Sequence, residues 1–329
     1  MSDDADIWVL LDDRAGNRAQ ALGVAERLAG QSGRPFRSVE IRYAMMARLP
    51  NVVLGVSISG LDAQSRALLH APWPKLVIAA GRRSAPVARW IKRQSDGAAK
   101  LVQIMDPGNT DPDFDLICRP AHDKGVQTGA NILNINAAPH RMSGEMLDRA
   151  REQWHAQVDD LPRPRIALLI GGATRRRAFT PAMARQLCTA ASDAATALGG
   201  SLMVTTSRRT GDAMSAVQQS LQGPHRLYHW DQGGENPYPG YLAMADAVIV
   251  TGESVSMCSE AVATGKPVYI YAPAGLITEK HARLHENLCR GGHARIFDGS
   301  LALDWSPVPL DSAAEIAEAI YARGLLEHA

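Results

Sequence analysis

The chain has 329 residues, which is more than one typical domain needs and enough for two domains that each bury a core. Its 35 Lys and Arg residues almost balance 34 Asp and Glu residues, so a net charge of +1 provides no general field that attracts nucleic acid. No apolar run approaches the ~20 residues of a membrane-spanning helix, so the sequence predicts no transmembrane segment.

The first half of the chain alternates apolar runs with amphipathic segments. The runs predict strands at 7–11, 37–42, 76–80, 101–105 and 115–118, and helical periodicity predicts helices at 17–28, 84–94 and 142–158. The two prolines of segment 161–165, LPRPR, cannot continue a helix. We therefore predict a domain boundary there, between residues 1–160 and 161–329.

The second half begins the same pattern again. Strands are predicted at 166–170 and 202–206, with a helix at 181–198 between them. Segment 247–271, AVIVTGESVSMCSEAVATGKPVYIY, is typical of a strand, a turn, a helix and a second strand. Alternating strands and helices predict an α/β protein in which parallel sheets carry helices on both faces.

The turn inside segment 247–271 is the strongest candidate for a ligand site. Free amides at a helix N-terminus, hydroxyl groups and a glycine that allows close backbone approach suit a phosphate or diphosphate. The candidate residues of this turn are Thr251, Gly252, Glu253, Ser254 and Ser256. Glu260 follows Ser256 by one helical turn, and we expect its carboxylate to accept hydrogen bonds from ribose hydroxyls. The alternative is that Ser256 only caps the helix and Glu260 is a solvated helix residue.

Two other turns add phosphate candidates at the same edge of the predicted sheet. The first contains Gly172 and continues into three arginines at 175–177, and the second contains Ser207, Arg208, Arg209 and Thr210. A guanidinium binds a diphosphate bidentately and offsets the charge that grows on a leaving nucleotide. Solvation is the alternative for arginines 175–177. Neither turn has the spacing of a dinucleotide fingerprint or a P-loop.

The first half supplies candidates for a general base. Asp13 lies in the polar loop after the first strand, and Asp106 and His122 lie at the ends of later strands. The alternative for Asp13 is an N-cap or turn residue. Arg82 and Arg83 follow a glycine, where they would bind an acidic acceptor or bond to carbonyls at strand ends.

Other kinds of chemistry have little support. His281 and His285 have the i, i+4 spacing of a metal site, but the sequence has no HExxH motif and no acidic cluster beside them, so we predict no metal. The four cysteines form no CxxC pair, and the first residues, MSDDAD, lack the features of a signal or transit peptide. These features predict a cytoplasmic location. The six tryptophans are scattered, which argues against a nucleic-acid partner.

Several sequence blocks, in order, resemble bacterial members of the mitochondrial fission family named for the elongated mitochondria of its plant mutant. The blocks are LLDDRAGNRAQALG, AAGRRSAPVARW, QIMDPG, TTSRRT, NPYPGYLAMAD and TGESVSMCSEAVATGKPV. The C-terminal halves of this family are similar to GT-B glycosyltransferases. The resemblance thus implies a GT-B-like fold of two Rossmann-like domains whose parallel sheets face a cleft. In plants it implies an adaptor that brings a dynamin-related protein to the mitochondrial outer surface.

The leading hypothesis is a glycosyltransferase that holds a nucleotide-activated sugar in that cleft and transfers it to an unknown acceptor without metal or further cofactor. Residues 161–329 would bind the donor and residues 1–160 the acceptor. A non-catalytic adaptor and a nucleotide-sugar epimerase on the same fold are the alternatives. The resemblance leaves room for peripheral membrane contact, but no stretch of the sequence has the basic amphipathic character that predicts it.

Overall fold

A computed structural model describes residues 5–108 and 111–327, without the side chains of residues 111 and 124. Its contacts divide the chain into two units, one of Met1–Arg141 with Ser312–Ala329 and one of Met142–Asp311. Each unit contains a six-stranded sheet, and every pair of neighbouring strands in both sheets is parallel. The predicted α/β class with parallel sheets is confirmed.

The sheet of the first unit has the strand order β2-β1-β3-β4-β5-β6. Its strands are β1 (Ile7–Leu11), β2 (Phe36–Glu40), β3 (Leu76–Ala80), β4 (Lys100–Ile104), β5 (Leu116–Pro120) and β6 (Ile132–Ile135). The helices between them are α1 (Ala15–Ser32), α2 (Asn51–Leu54), α3 (Ala63–Ala67), α4 (Ala85–Gln94) and α5 (Ala121–Lys124). Short 3-10 turns lie at Met45–Arg48, Arg82–Ser84 and Asp111–Asp113.

Strand β1 shows why these strands are continuous apolar runs. Its residues Ile7, Val9 and Leu11 pack into one hydrophobic cluster, while Trp8 and Leu10 pack into another. Because successive side chains of a strand point to opposite faces, a strand in which every residue is buried needs an apolar layer on both sides. Helix α1 supplies residues to the first cluster and α4 to the second.

The sheet of the second unit has the strand order β12-β11-β10-β7-β8-β9. Its strands are β7 (Arg165–Leu169), β8 (Ser201–Thr205), β9 (His225–Tyr228), β10 (Ala247–Thr251), β11 (Val268–Tyr271) and β12 (Arg295–Ile296). Its helices are α6 (Gly144–Trp154), α7 (Pro181–Ala197), α8 (Met214–Ser220), α9 (Tyr238–Met244), α10 (Val255–Val262) and α11 (Glu279–Arg290), with 3-10 turns at His155–Gln157 and Arg208–Ala213.

The division into units differs from the predicted boundary at residues 160 and 161. Helix α6 lies in the second unit, where Trp154 packs against the backbone of Gly240 so closely that a Cβ there would lie 2.4 Å from the indole Cγ. The proline segment packs too, because the Pro164 carbonyl accepts a hydrogen bond from the Ser201 amide at 3.0 Å. The last helix, α12 (Ser312–Ala322), packs with α1 in the first unit. Helix α6 ends at Trp154, eight residues before the first proline of the proline segment.

Candidate functional site

Three turns meet at the carboxyl edge of the second sheet. Strand β7 lies between β10 and β8, so the turns that follow these three strands are neighbours. The Gly171 amide donates a hydrogen bond to Thr251 Oγ1 at 2.8 Å, and the Gly172 amide donates one to Glu253 Oε1 at 2.6 Å. The structure therefore brings together the predicted residues Gly172, Ser207, Arg209, Thr210, Thr251, Gly252 and Glu253.

The hydroxyl groups of this edge bond within the protein. Ser207 Oγ and Thr210 Oγ1 both donate to the Gly171 carbonyl, and Thr210 Oγ1 also accepts from the Ser207 amide at 3.1 Å. Thr251 Oγ1 accepts from the Gly171 amide and is itself buried. These three hydroxyl groups link the turns to one another through hydrogen bonds. They do not face open solvent, as hydrogen-bond donors to a phosphate would.

Glu253 is a buried carboxylate at the centre of the three turns. Its Oε1 lies 3.6 Å from the Arg209 guanidinium, and within the described residues its buried Oε2 has no hydrogen-bond partner. Burial raises the pKa of Glu253, and Arg209 partly opposes that increase. A Cβ on Gly171 would lie 2.1 Å from Oε1, so only glycine fits there. Through Oε1, Glu253 thus links the loop after β7 to the turn after β10.

Gly252 lies in tight contact with His285 of α11. The imidazole Nε2 donates a hydrogen bond to the Gly252 carbonyl at 2.8 Å, and a Cβ on Gly252 would lie 2.5 Å from the ring Cε1. Burial lowers the pKa of His285 to about 4, so the ring is neutral at neutral pH. This contact gives His285 a structural role, and its partner lies 33 residues away and has no local sequence signal.

The N-terminus of α10 faces the same edge and has open donors. The helix begins at Val255, and the N-cap residue is Ser254, whose side chain makes no capping hydrogen bond. The first amide of the next turn, that of Cys258, bonds to the Ser254 carbonyl, which leaves the earlier helical amides without intrahelical acceptors. Ser256 is exposed within this first turn, so it does not occupy the cap position that the sequence suggested.

Glu260 is partly buried and paired, unlike a solvated helix residue. The Tyr238 hydroxyl at the start of α9 donates a hydrogen bond to Glu260 Oε2 at 2.5 Å. Burial raises the pKa of Glu260 to about 7, and the tyrosine hydrogen bond partly opposes this. Sequence reasoning missed Tyr238, although it lies in the block NPYPGYLAMAD.

The charges around this edge are mostly positive. Arg208 is exposed and has no ion pair or hydrogen bond among the described residues, and arginines 175–177 are exposed as well. The pKa of His281 is lowered by burial and then by the nearby Lys280 and Arg209, which is the response of an imidazole to a positive environment. An anion therefore meets favourable charge at this edge.

The candidate bases lie in the first unit and do not form one cluster. Asp13 is exposed and forms an ion pair with Arg83. Asp106 Oδ1 accepts from the Gly108 amide at 2.8 Å, and His122 is buried. Strand β3 separates β1, which precedes Asp13, from β4, which precedes Asp106.

Asp12, the neighbour of Asp13, has a structural role. Its carboxylate accepts hydrogen bonds from the Arg14 amide at 3.0 Å and from Asn17 Nδ2 at 2.9 Å. This is the turn role that the sequence left open for the loop after β1. Asp13 therefore remains the exposed carboxylate of the pair.

Comparison with solved structures defines the class of fold as GT-B-like. The spinosyn forosaminyltransferase SpnP superposes with a TM-score of 0.53 and 11% identity over 96% of this chain and 90% of its own. A UDP-GlcNAc 2-epimerase from Methanocaldococcus jannaschii, solved with UDP-GlcNAc and UDP, superposes with a TM-score of 0.50 and 10% identity over 95% and 99%. The predicted fold class is confirmed, and at these identities the likeness shows the fold alone.

The family follows from the sequence comparisons. The family model described as Mitochondrial fission ELM1 matches residues 15–323, and the chain belongs to this family. The Mitochondrial fission protein ELM1 of Arabidopsis thaliana is 29% identical over 292 residues, which cover 82% of this chain and 68% of the plant protein. The uncharacterized protein RP120 of Rickettsia prowazekii is 29% identical over 348 residues, with coverages of 95% and 97%. The predicted family is confirmed.

No helix among the described residues combines the length and the apolar character that crossing a bilayer requires. No group of three or more His, Cys, Asp or Glu side chains among them is arranged to hold a metal ion.

Proposed function

We propose that this chain is a GT-B-type glycosyltransferase that binds a nucleotide-activated sugar at the carboxyl edge of the second sheet. The observation that carries the proposal is the open N-terminus of α10, which has no side-chain cap and follows a glycine turn fixed by Glu253 and His285. Helix N-termini of this kind bind phosphate because their amides and dipole favour negative charge.

Each residue near the edge has a distinct role in this proposal. The first backbone amides of α10, together with the exposed Ser256 hydroxyl, donate to the diphosphate. Arg208 has no partner of its own among the described residues, so its guanidinium is available to offset the charge that grows on the leaving nucleotide. Arg209 lies 3.6 Å from Glu253 Oε1 and offsets its negative charge, which reduces the repulsion between Glu253 and the anion.

Glu260 is the proposed ribose ligand. Tyr238 occupies only its Oε2, so Oε1 remains available to accept a ribose hydroxyl. The carboxylate form is the better acceptor, and a pKa of about 7 means that this form increases as pH rises through neutrality. Asp13 remains our candidate for the base that activates an acceptor hydroxyl, because it is the exposed carboxylate of its loop.

A thermal-shift screen tests the donor site. The purified protein is melted with UDP, GDP, CMP, ADP and dTDP and with their sugar conjugates. A ligand that binds only the folded state at 100 times its Kd stabilises it by about 2.7 kcal/mol. We expect one nucleotide class to raise the Tm of the wild type and of Arg185→Gln, an exposed arginine on α7, but not that of Arg208→Gln. A shift that survives Arg208→Gln unchanged would remove this arginine from the site.

The reaction products then distinguish a glycosyltransferase from an epimerase. The nucleotide sugar that binds is incubated with the protein, and the products are separated by chromatography. Release of the free nucleotide supports a transferase, because water replaces the missing acceptor at a slow rate. Conversion to an isomeric nucleotide sugar supports an epimerase instead. Both activities should fall in Glu260→Ala if this residue holds the ribose.

A non-catalytic adaptor is the second candidate. The observation that favours it is that the hydroxyls of Ser207, Thr210 and Thr251 are satisfied inside the fold, so the edge is stable without a ligand. A folded protein that no nucleotide in the panel stabilises would favour the adaptor.

We also propose a cytoplasmic location. All four cysteines are free thiols, and a reducing compartment keeps thiols in that state.

A further inference from the structure

The first unit contains an arginine-lined pocket that the donor site does not use. Its volume is about 530 Å³, and all of its lining residues belong to that unit. The polar and charged lining residues are Asp13, Arg14, Tyr43, Arg48, Arg82 and Arg83. Four guanidinium groups face one exposed carboxylate, so the pocket has an excess of positive charge. Such an excess favours a ligand with more than one negative charge.

Two of these arginines are held in place by the fold. The Arg83 guanidinium pairs with Asp13 and lies over the Tyr43 ring, with its Cζ 4.2 Å from the ring centroid. Arg82 Nη1 donates to the Leu49 carbonyl at 3.0 Å and to Asn51 Oδ1 at 2.8 Å. Because the fold already fixes these two side chains, a ligand does not have to immobilise them.

The other two arginines are free to bind. Arg14 and Arg48 are exposed, and neither side chain has a hydrogen bond or ion pair among the described residues. The Tyr43 hydroxyl is shielded from solvent and has no hydrogen-bond partner in the described part of the chain. A buried hydroxyl without a partner is unusual, and a ligand that reaches it would satisfy it. The pocket thus combines two fixed guanidinium groups with hydrogen-bond donors that have no acceptor among the described residues.

An exposed apolar strip lies at the rim of this pocket. It consists of Met45, Met46, Leu49, Val52 and Val53, and the side chains of Met45, Val52 and Val53 are 81%, 73% and 67% exposed. Met45 lines the pocket, and the Leu49 carbonyl accepts the hydrogen bond from Arg82, so the strip and the pocket are continuous.

The strip is not a loosely packed part of the core. Residues Ala47, Asn51 and Leu54 of the same segment are buried, and they fix it against the unit. Asn51 Nδ2 donates to the carbonyls of Arg82 and Pro107 at 2.8 and 2.7 Å. The outward side of an anchored surface segment is normally polar, whereas here five exposed apolar side chains surround one exposed cation, Arg48. Exposed apolar side chains grouped in this way indicate a contact surface.

We propose that this pocket and strip bind a phosphate-bearing lipid at the surface of an anionic bilayer. The phosphate occupies the pocket between Arg14, Arg48 and the fixed arginines, and the strip enters the boundary between head groups and acyl chains. Phosphate matches the guanidinium geometry, and the neighbouring apolar side chains match the acyl chain of the same molecule. The proposal does not depend on the donor site of the second unit.

Vesicle flotation tests this proposal with the full chain. Vesicles of phosphatidylcholine alone are compared with vesicles that also contain phosphatidic acid, and a third series contains phosphatidic acid vesicles with added glycerol phosphate. We expect binding only when phosphatidic acid is present, and we expect added salt to weaken it. Arg14→Gln/Arg48→Gln should weaken binding by about 30-fold, because each basic residue near an anionic surface contributes about five- to sixfold and the two contributions multiply.

Matched variants separate this site from general charge and general apolarity. Arg93→Gln/Arg185→Gln removes the same charge from exposed arginines elsewhere, and Val126→Ser/Val308→Ser removes exposed apolar side chains elsewhere. Both controls should float as the wild type does, whereas Val52→Ser/Val53→Ser should not. All variants change exposed residues, and unchanged Tm values verify that they fold.

Three results would overturn the proposal. The first is no flotation with phosphatidic acid vesicles. The second is an equal loss of flotation in the pocket variant and the matched arginine control, because the binding would then follow net charge alone. The third is full displacement from phosphatidic acid vesicles by glycerol phosphate together with wild-type flotation of Val52→Ser/Val53→Ser, because the pocket would then recognise a free phosphate and the apolar strip would have no part in binding.

Discussion

Replacing Glu260 with glutamine should make the protein more stable at high pH but not at low pH. Burial raises the pKa of Glu260 from 4.5 to about 7. The folded state therefore holds this proton more tightly than the unfolded state does. The stabilising effect of the proton is complete below pH 4.5 and is lost as pH rises through about 7. Glutamine has no charge to bury, so Glu260→Gln does not lose this stability.

The size of the effect follows from the change in pKa. A pKa that moves from 4.5 to about 7 corresponds to about 3 kcal/mol in the free energy of unfolding. Glu260 is only partly buried, so solvent reduces this figure, and we expect the variant to gain about 1 to 2 kcal/mol over the wild type at high pH. At low pH both side chains are neutral and nearly the same size, so their stabilities should be similar.

Urea unfolding of both proteins at about pH 5 and about pH 8 measures this difference. Tyr238→Phe provides a control, because it removes the hydrogen bond that favours the carboxylate. It should raise the pKa of Glu260 further and extend the pH-dependent loss to higher pH. A stability difference between Glu260→Gln and the wild type that is the same at both pH values would refute the assignment of a buried, titrating carboxyl group.

A glycine, a buried carboxylate and the thiols give three more predictions. Gly252→Ala should lower the free energy of unfolding in urea by about 1–3 kcal/mol, because the added Cβ would collide with His285. Adding His285→Ala should recover part of this loss, and a fully stable Gly252→Ala would contradict the contact. Glu253→Ala should lower the free energy of unfolding by about 1–3 kcal/mol, because it leaves the Gly172 amide without an acceptor. Glu253→Gln retains an acceptor oxygen and should lose less stability, so equal losses in the two variants would count against this role. Cys289 is only half-buried, so mass spectrometry after brief native labelling with a thiol reagent should find it modified before the buried thiols, and earlier labelling of any of those would exclude this order. The buried thiols are Cys118, Cys188 and Cys258.

The sequence predicts the central strands well because they are buried on both faces. Strands β1 and β3 are continuous apolar runs, and their observed bounds match the predicted ones. Strand β9, HRLY, was missed because two polar residues begin it at the edge of the sheet. Pairing with β8 makes it a strand, and that contact is not visible in a short window of sequence.

The domain division was harder to predict because it depends on distant packing. The sequence predicts helix α6, but not which unit it joins. Helix α6 belongs to the second unit, where its Trp154 packs on Gly240, more than eighty residues further along the chain. Helix α12 likewise joins the first unit through contact with α1, from the opposite end of the chain.

The sequence predicted the sheet edge at which the candidate site lies, but it did not predict what the hydroxyl groups of that edge contact. Thr251, Ser207 and Thr210 lie at the predicted edge, yet each hydroxyl bonds to backbone in the neighbouring turns. A turn hydroxyl bonds to the nearest unsatisfied backbone group, and the adjacent strand, which is distant in sequence, determines that group. The donors left for a ligand are those that no neighbour can use, namely the first amides of α10 and the Arg208 guanidinium. Recognition at this edge would then depend on charge and backbone geometry more than on hydroxyl groups, which is why the arginine substitution is the sharper test of the donor site.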